Sequence, residues 1–481
     1  MQRLDLGNAP EGFLSFAWHN LSPGDRATIM AEAPRTVWLF GAGASHHYNL
    51  NARGVRIPLA NGFFTAFHQL PTSSGFNAHV GPLISYLKSS RNVDAGDVPK
   101  WSENIEDFMT SIEDELEKLR TQLQEGRLSE DSYMQALSAV GAFNNMTFIM
   151  ASVINEAQNG PSDSLYRDLL DFCGPNDTFI TFNWDTLMDR ALADTGGWSP
   201  NDGYGLSFAS VLDSDWKPTA ERAAAFKTNW KLLKLHGSTN WLVPWTNVRL
   251  DTLDYHCAVN GPEKIFLYWQ STLPYQTFRN RWRGGYVPTS YGYYPANIPS
   301  AFFGEGQLAP EAGHAFLSFS PIQIFSPFKE IQGEGIPSSP LLITPVRQKK
   351  YDSYQESIES LWKQAGTSIK DAQRLVIVGY SFPATDTRTL ELVGSAAESG
   401  QSLKSIEIVC PDANEIASRL TTRFAGSGKR IIVHAKKFED YIGSMYAVAP
   451  YLMRLAADGS GDVKDWLERI FQLNQLAREE P

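Results

Sequence analysis

Two rhythms of apolar residues run through this chain. Short continuous runs read as buried strands: Thr36-Val37-Trp38-Leu39-Phe40, Thr178-Phe179-Ile180-Thr181-Phe182, Leu232-Leu233-Lys234-Leu235, Leu375-Val376-Ile377-Val378 and Ile406-Glu407-Ile408-Val409, with Ile431-Ile432-Val433 as a sixth. Between several of them, apolar residues return every three or four positions, as from Tyr354 to Ala372 and from Asp386 to Glu398. Short apolar strands alternating with helices predict an α/β chain built on a Rossmann-like, doubly wound parallel sheet.

Two segments interrupt the alternation. Residues 75–170 read as a helical insertion after the first βα unit, with Ile105, Phe108, Met109, Ile112, Leu116 and Leu119 on one face. Glu113, Asp114, Glu115 and Glu117 read as its solvated face. Phe143, Phe148, Ile149, Val153 and Ile154 mark a further helix. Residues 251–340 are rich in Tyr, Phe, Pro and Gly, as in Tyr286-Val287-Pro288-Thr289-Ser290-Tyr291. With Arg279, Arg281 and Arg283 this segment has the ingredients for stacking bases, but an ordered insertion with its own small core is the simpler reading. The sheet is thus assigned to about 35–70, 170–250 and 340–450 of one domain. Residues 451–481 form a C-terminal helix that carries Trp466, Leu467, Ile470, Phe471 and Leu473 toward a homo-oligomer contact.

In a doubly wound sheet the ligand lies outside the carboxyl ends of the strands. The residues there are Gly41-Ala42-Gly43-Ala44-Ser45, Asn183-Trp184-Asp185, His236-Gly237-Ser238, Gly379-Tyr380-Ser381 and Cys410-Pro411-Asp412. Two glycines entering a helix let backbone N–H groups approach an anion, or simply turn the chain tightly; the third glycine of the dinucleotide fingerprint is missing. The Pro- and Gly-punctuated loop Arg53–Phe64, which contains Pro58, follows directly and is placed to fold over a ligand. Asn183 and Asp185 have a plainer reading as helix caps, and His236 as a structural histidine. His46 and His47 diverge by about 100° on a helix, so they do not make a metal pair.

Composition narrows the classes. With 481 residues, 42% hydrophobic and 20% charged, the chain reads as globular, and its net charge of −11 argues against a large nucleic-acid footprint. Cys173, Cys257 and Cys410 are too few and too far apart for a disulfide framework or a four-thiolate zinc site, which fits a reducing cytoplasm. No apolar run is read as long enough to span a bilayer, and Met1-Gln2-Arg3-Leu4-Asp5 lacks the form of a signal peptide.

Four stretches in order carry a family resemblance. Gly41-Ala42-Gly43-Ala44-Ser45 resembles the sirtuin glycine loop, and Thr181-Phe182-Asn183-Trp184-Asp185 its Thr-Gln-Asn-Ile-Asp stretch. Leu235-His236-Gly237-Ser238 resembles the catalytic His-Gly, and Gly379-Tyr380-Ser381-Phe382-Pro383 the late Gly-Thr-Ser turn. The chain thus resembles the prokaryotic sirtuin-like (Sir2-like domain) group. Two features of the deacylases are missing: only Cys257 lies between 238 and 378 where they carry four zinc cysteines, and Leu59-Ala60-Asn61 follows Pro58 where they carry Asp-Phe-Arg.

The resemblance implies an NAD-consuming effector of antiphage defence, a glycohydrolase that gives nicotinamide and ADP-ribose or a cyclic product. It implies NAD as substrate, no metal, and for some members a hexameric ATPase partner. Asn183, His236 and Asp185 would be catalytic. Gly41, Ala42, Gly43, Ser45, Pro58, Gly237, Gly379, Ser381 and Asp412 would bind the dinucleotide. A protein deacylase or ADP-ribosyltransferase, and a non-catalytic NAD or ADP-ribose sensor or scaffold, are the alternatives.

Overall fold

The structure is a computed structural model. It describes residues 35–70, 77–94, 96–212, 228–244, 253, 265–269, 277–278, 281–282, 315–317, 336–346, 355–383, 386–423 and 428–446. The C-terminal helix expected within 451–481 and most of the aromatic segment 251–340 lie outside these residues.

Among the described residues thirteen strands follow in chain order. They are β1 Thr36–Phe40, β2 Thr178–Thr181, β3 Ser210–Leu212, β4 Lys231–Lys234, β5 Gly237–Pro244, β6 Phe266–Tyr268, β7 Thr277–Phe278, β8 Arg281–Trp282, β9 Ala315–Leu317, β10 Ile336–Leu342, β11 Arg374–Val378, β12 Ser405–Val409 and β13 Arg430–His434. The helices used below are α1 Ala42–Ser45, α2 Phe63–Gln69, α3 Asn77–Arg91, α4 Ile105–Gln124, α5 Glu130–Ala157, α6 Ser164–Leu170, α7 Leu187–Thr195, α8 Gln355–Asp371, α9 Thr387–Ser399 and α10 Ala413–Arg423.

The six apolar runs form one sheet in the order β13–β12–β11–β1–β2–β4, and every pairing in it is parallel. Val37–Phe40, Phe179, Ile180, Leu232, Leu233 and Leu375–Val378 are buried, as a sheet covered on both faces requires. The chain moves outward from β1 through β2 to β4, then crosses back to start again at β11 on the other side of β1. The topological switch point therefore lies between β1 and β11, the place where doubly wound sheets open a ligand crevice.

A second sheet, β3–β6–β5–β10–β9, is mixed and five-stranded. The sequence reading expected short strands within 251–340 but not this sheet, since it ended the third apolar run at Leu235, before β5. Gly237 makes the corner between the two sheets with φ of 78°. A Cβ there would stand 2.0 Å from the Leu341 carbonyl oxygen, so only glycine fits.

The helical insertion forms as patterned. Asn104, Ser129 and Asp163 cap α4, α5 and α6 through their side chains. All six apolar positions named on α4 are buried. Glu113 is buried as well, and Glu115 accepts from Tyr86 at 2.7 Å and from Gln135 at 2.6 Å, so these two leave the solvated face assigned to them. The 28-residue α5 is long and apolar enough to cross a bilayer, which the sequence reading missed. Of its apolar window 83% is buried inside the protein, between α3, α4 and the second sheet.

Asp177 ties the amino ends of β1 and β2 together. Its carboxylate accepts from Thr36 N at 2.9 Å, Trp38 Nε1 at 3.1 Å and Gly174 N at 3.0 Å. Burial pushes this carboxyl up to about 7 even though all three donors favour the anion. Asp177→Ala leaves two buried donors and one half-buried donor unmet, and denaturant unfolding should register a loss of about 2–5 kcal/mol. A loss below about 1 kcal/mol, the net worth of a single hydrogen bond, would contradict the clamp.

Candidate active site

The carboxyl ends of the parallel strands form a continuous rim. Gly41 N donates to Val378 O at 3.0 Å, Phe182 N to Phe40 O at 3.1 Å, Leu235 N to Thr181 O at 3.0 Å and Gly379 N to Val409 O at 2.9 Å. The residues that follow β1, β2, β4, β11 and β12 are thereby brought to one edge.

At the switch point the two glycine loops touch. Gly43 N donates to Gly379 O at 2.9 Å. A Cβ on Gly43 would stand 2.9 Å from Gly379 Cα, and one on Gly379 would stand 2.2 Å from Ala44 N. Gly379 also has φ of 60°, and a Cβ on Gly41 would meet the Tyr380 ring at 2.6 Å. Gly41 and Gly43 are thus packed against the Gly379–Tyr380 turn, with the Gly43 N–H donated to Gly379 O and the Gly41 N–H to Val378 O. Ala42, exposed at the first position of α1, is the loop residue that faces outward.

Asn183 is fixed across this loop. Its Nδ2 donates to Gly41 O at 2.9 Å and to Ser45 Oγ at 3.0 Å. A carbonyl only accepts, so the amide nitrogen must face it and the orientation is unambiguous. Among the described residues no donor reaches Asn183 Oδ1. Ser45 is fully buried, and its hydroxyl lies between Asn183 and the Tyr166 hydroxyl, 3.0 Å away. The Ser45 hydroxyl is thus an internal support for Asn183.

Asp185 is held from within the protein as well. Its Oδ1 accepts from Leu187 N, the first residue of α7, at 3.1 Å. Burial raises its pKa, against the lowering influence of Lys234, the Leu187 N–H and Ser45. Lys234, buried at the end of β4, donates to the Asp185 carbonyl at 2.5 Å and pairs with Asp189 at 3.1 Å. Tyr204 closes this network on Asp189. Lys234 was read only as a strand residue, and nothing in its local pattern marks it as the support of the 183–186 turn.

His236 sits beside Asn183 on the next strand end. Its ring lies 4.9 Å from the Phe182 ring, centroid to centroid, and its Nε2 is 3.8 Å from Asp386 Oδ2. The Tyr380 ring stacks on Phe182 at 4.7 Å. Asn183 is 9% exposed and His236 7%, so both are largely enclosed, His236 beside the Phe182 ring.

The remaining residues lie around the rim. Gly237, expected to bind the dinucleotide, is accounted for by the sheet corner. Pro58 follows Ile57, whose carbonyl meets His46 Nδ1 at 2.7 Å and whose N–H returns to Tyr48 O, so the loop folds back beside α1. Ser381 and Asp412 are exposed at the ends of β11 and β12. Arg419 on α10 donates to the carbonyls of Ser381 at 2.7 Å and Phe382 at 3.3 Å, a brace that the sequence reading missed.

His46 and His47 take structural partners. His47 Nδ1 meets Ala44 O at 2.8 Å and its Nε2 meets Asp163 Oδ2 at 2.8 Å. Burial disfavours the cation, yet Asp163 and the Ala44 carbonyl outweigh it and raise the pKa above 6.5. A raised histidine contributes stability that is present below pH 6.5 and lost as pH rises through the folded-state value. Wild-type stability should therefore decline across that interval. Asp163→Asn, which keeps the cap on α6, should flatten the decline in pH-dependent denaturant melts; parallel wild-type and variant profiles would contradict the pairing.

No family model and no curated protein matches the chain. Among solved structures it is similar to a Sir2 homologue in complex with NAD, at 10% identity over 95% of this chain and 96% of that one, with a TM-score of 0.31. A Sir2 homologue variant bound to ADP-ribose matches at 10% identity over 96% and 100%, with a TM-score of 0.31. A structure concerned with the mechanism and regulation of Sir2 enzymes matches at 12% over 95% and 98%, with a TM-score of 0.28. At these scores the likeness carries no argument of its own, and the α/β doubly wound fold stands on its strand order.

Proposed function

We propose that this chain is an NAD glycohydrolase that acts in antiphage defence by depleting NAD in the cytoplasm. The observation that carries the reading is the locked amide of Asn183, whose Nδ2 is committed to Gly41 O and Ser45 Oγ while no described residue donates to its Oδ1, with His236 at the end of the adjacent strand β4. An acceptor held still next to a histidine suits a reaction in which a hydroxyl or water must be oriented and then lose a proton.

In that reaction the bond between ribose C1′ and the nicotinamide nitrogen breaks. Its electron pair stays on the nitrogen, so the positively charged pyridinium leaves as neutral nicotinamide. The oxocarbenium-like ribose is captured by water, which gives ADP-ribose, or by the adenine, which gives a cyclic product. Asn183 Oδ1 accepts from the ribose hydroxyl or the water, and His236 takes the released proton. The diphosphate lies along Gly41–Ala42–Gly43 and Gly379–Ser381, Pro58 closes from the loop side, and Asp412 receives the adenosine ribose hydroxyls. Asp185 and Ser45 act through Asn183 rather than on the substrate. The enclosure of Asn183 and His236 fits a resting state that opens on activation. The homo-oligomer contact through 451–481 and the ATPase partner belong to this proposal by resemblance only.

Purified protein incubated with NAD should release nicotinamide and ADP-ribose. Asn183→Ala and His236→Ala should each lower the rate about 10²–10³-fold with dinucleotide binding retained. Ser45→Ala should reduce the rate rather than the affinity, because its hydroxyl supports Asn183. In phage-challenged cells the wild type should deplete NAD and Asn183→Ala should not. His236→Ala cleaving NAD at the wild-type rate in cells where the wild type is active would overturn the assignment.

A further inference from the structure

Beside His236 stands a buried acid that the reaction above does not use. Asp386 is 2% exposed and occupies the N-terminal boundary of α9, where an aspartate ordinarily caps its own helix. Its side chain makes no capping bond. Oδ2 instead accepts the Tyr380 hydroxyl at 2.5 Å and lies 3.8 Å from His236 Nε2. The imidazole is held between the Phe182 ring, 4.9 Å away, and the Trp362 ring, 6.4 Å away. At 3.8 Å the two atoms are within ion-pair reach but farther apart than a hydrogen bond, and since a carboxylate only accepts, the pair can close only with hydrogen on Nε2.

Resting on the glycohydrolase reading, we propose that Asp386 is a positioning residue for His236, which it holds with hydrogen on Nε2 and the lone pair on Nδ1. That tautomer is the one able to take a proton from a ribose hydroxyl or an attacking water at Nδ1. In the hydrolytic step a proton moves from the attacking water to Nδ1 and the water oxygen's lone pair forms the bond to C1′, as the bond from C1′ to the nicotinamide nitrogen breaks with its electron pair left on the nitrogen. The resulting imidazolium keeps Nε2–H against the carboxylate, whose charge opposes its own.

Other charged and titratable groups face this cluster. Tyr380 shares Oδ2 from the turn after β11, and Glu106 on α4 acts on Tyr380 through its charge. Arg388 on α9 lies 4.3 Å over the Trp362 ring and pairs with Glu359 on α8 at 2.7 Å. The helix N-terminus at Asp386 adds positive dipole ends beside the carboxylate.

The test is made on the full chain labelled with ¹⁵N-histidine, with His236→Gln used to assign the signals of His236. Ring nitrogen shifts, read where the ring is neutral, report the tautomer directly. The wild type should show Nε2–H. Asp386→Asn, of the same shape, offers an amide that donates; it should move the ring toward Nδ1–H and lower kcat for NAD cleavage about 10²-fold with KM little changed. Tyr380→Phe, which leaves the carboxylate in place, should keep the Nε2–H form. If Asp386 served only to anchor Tyr380, the two variants would shift the ring alike; that result, or an unmoved tautomer in Asp386→Asn, overturns the proposal. Nitrogen shifts need no turnover. A chain that cleaves no NAD yet changes tautomer therefore refutes the glycohydrolase reading alone, and one that cleaves NAD with the tautomer unmoved refutes the role of Asp386 alone.

Discussion

Everything at the rim depends on how closely the loop after β1 approaches the loop after β11. Gly43 and Gly379 meet backbone to backbone, and a methyl group on either would overlap the other loop. That contact fixes the switch point, because β1 and β11 are the neighbours at which the chain reverses direction across the sheet. It also sets the Gly41 carbonyl where Asn183 can reach it from β2. Loosening the contact would release Asn183 and the Tyr380 ring together.

The site is assembled from outward-facing residues and a concealed layer that aims them. Ser45, Tyr166, Asp185 and Lys234 are all buried: Ser45 accepts from Asn183, Tyr166 meets Ser45, Asp185 accepts from Leu187 N, and Lys234 donates to the Asp185 carbonyl. Phe40, His47, Tyr166 and Phe438 form an aromatic floor under α1, with ring centroids 5.5–6.3 Å apart. Such a layer raises the geometric precision available to one acceptor and one histidine, which is what cleavage of a glycosidic bond by positioning requires.

The parallel sheet was legible because strands covered on both faces are written as uninterrupted apolar runs, and all six runs became strands. The second sheet was not. Its strand β5 starts at once after a glycine corner, and Ser238-Thr239-Asn240 gives it a polar opening where the core strands have none. At the rim, Asn183 and His236 were readable from their place after a strand. Ser45 and Asp185 were readable as polar residues in the right place but not as internal supports, since burial depends on what Tyr166, Lys234 and Gly41 bring from elsewhere in the chain. Asp386 carried a misleading local signal: an aspartate ahead of Thr387-Arg388-Thr389-Leu390 looks like a helix cap, and only the approach of His236 and Tyr380 turns it to another use.

The central claim is that the crevice between β1 and β11 holds the dinucleotide with its scissile ribose against Asn183 and His236. The most direct measurement is a crystal structure of the protein with ADP-ribose. The account predicts the diphosphate across Gly41–Ala42–Gly43 and the Gly379–Ser381 turn, with the terminal ribose within hydrogen-bonding distance of Asn183 Oδ1. ADP-ribose bound anywhere else, with this crevice still closed by the Tyr380 ring, would contradict it.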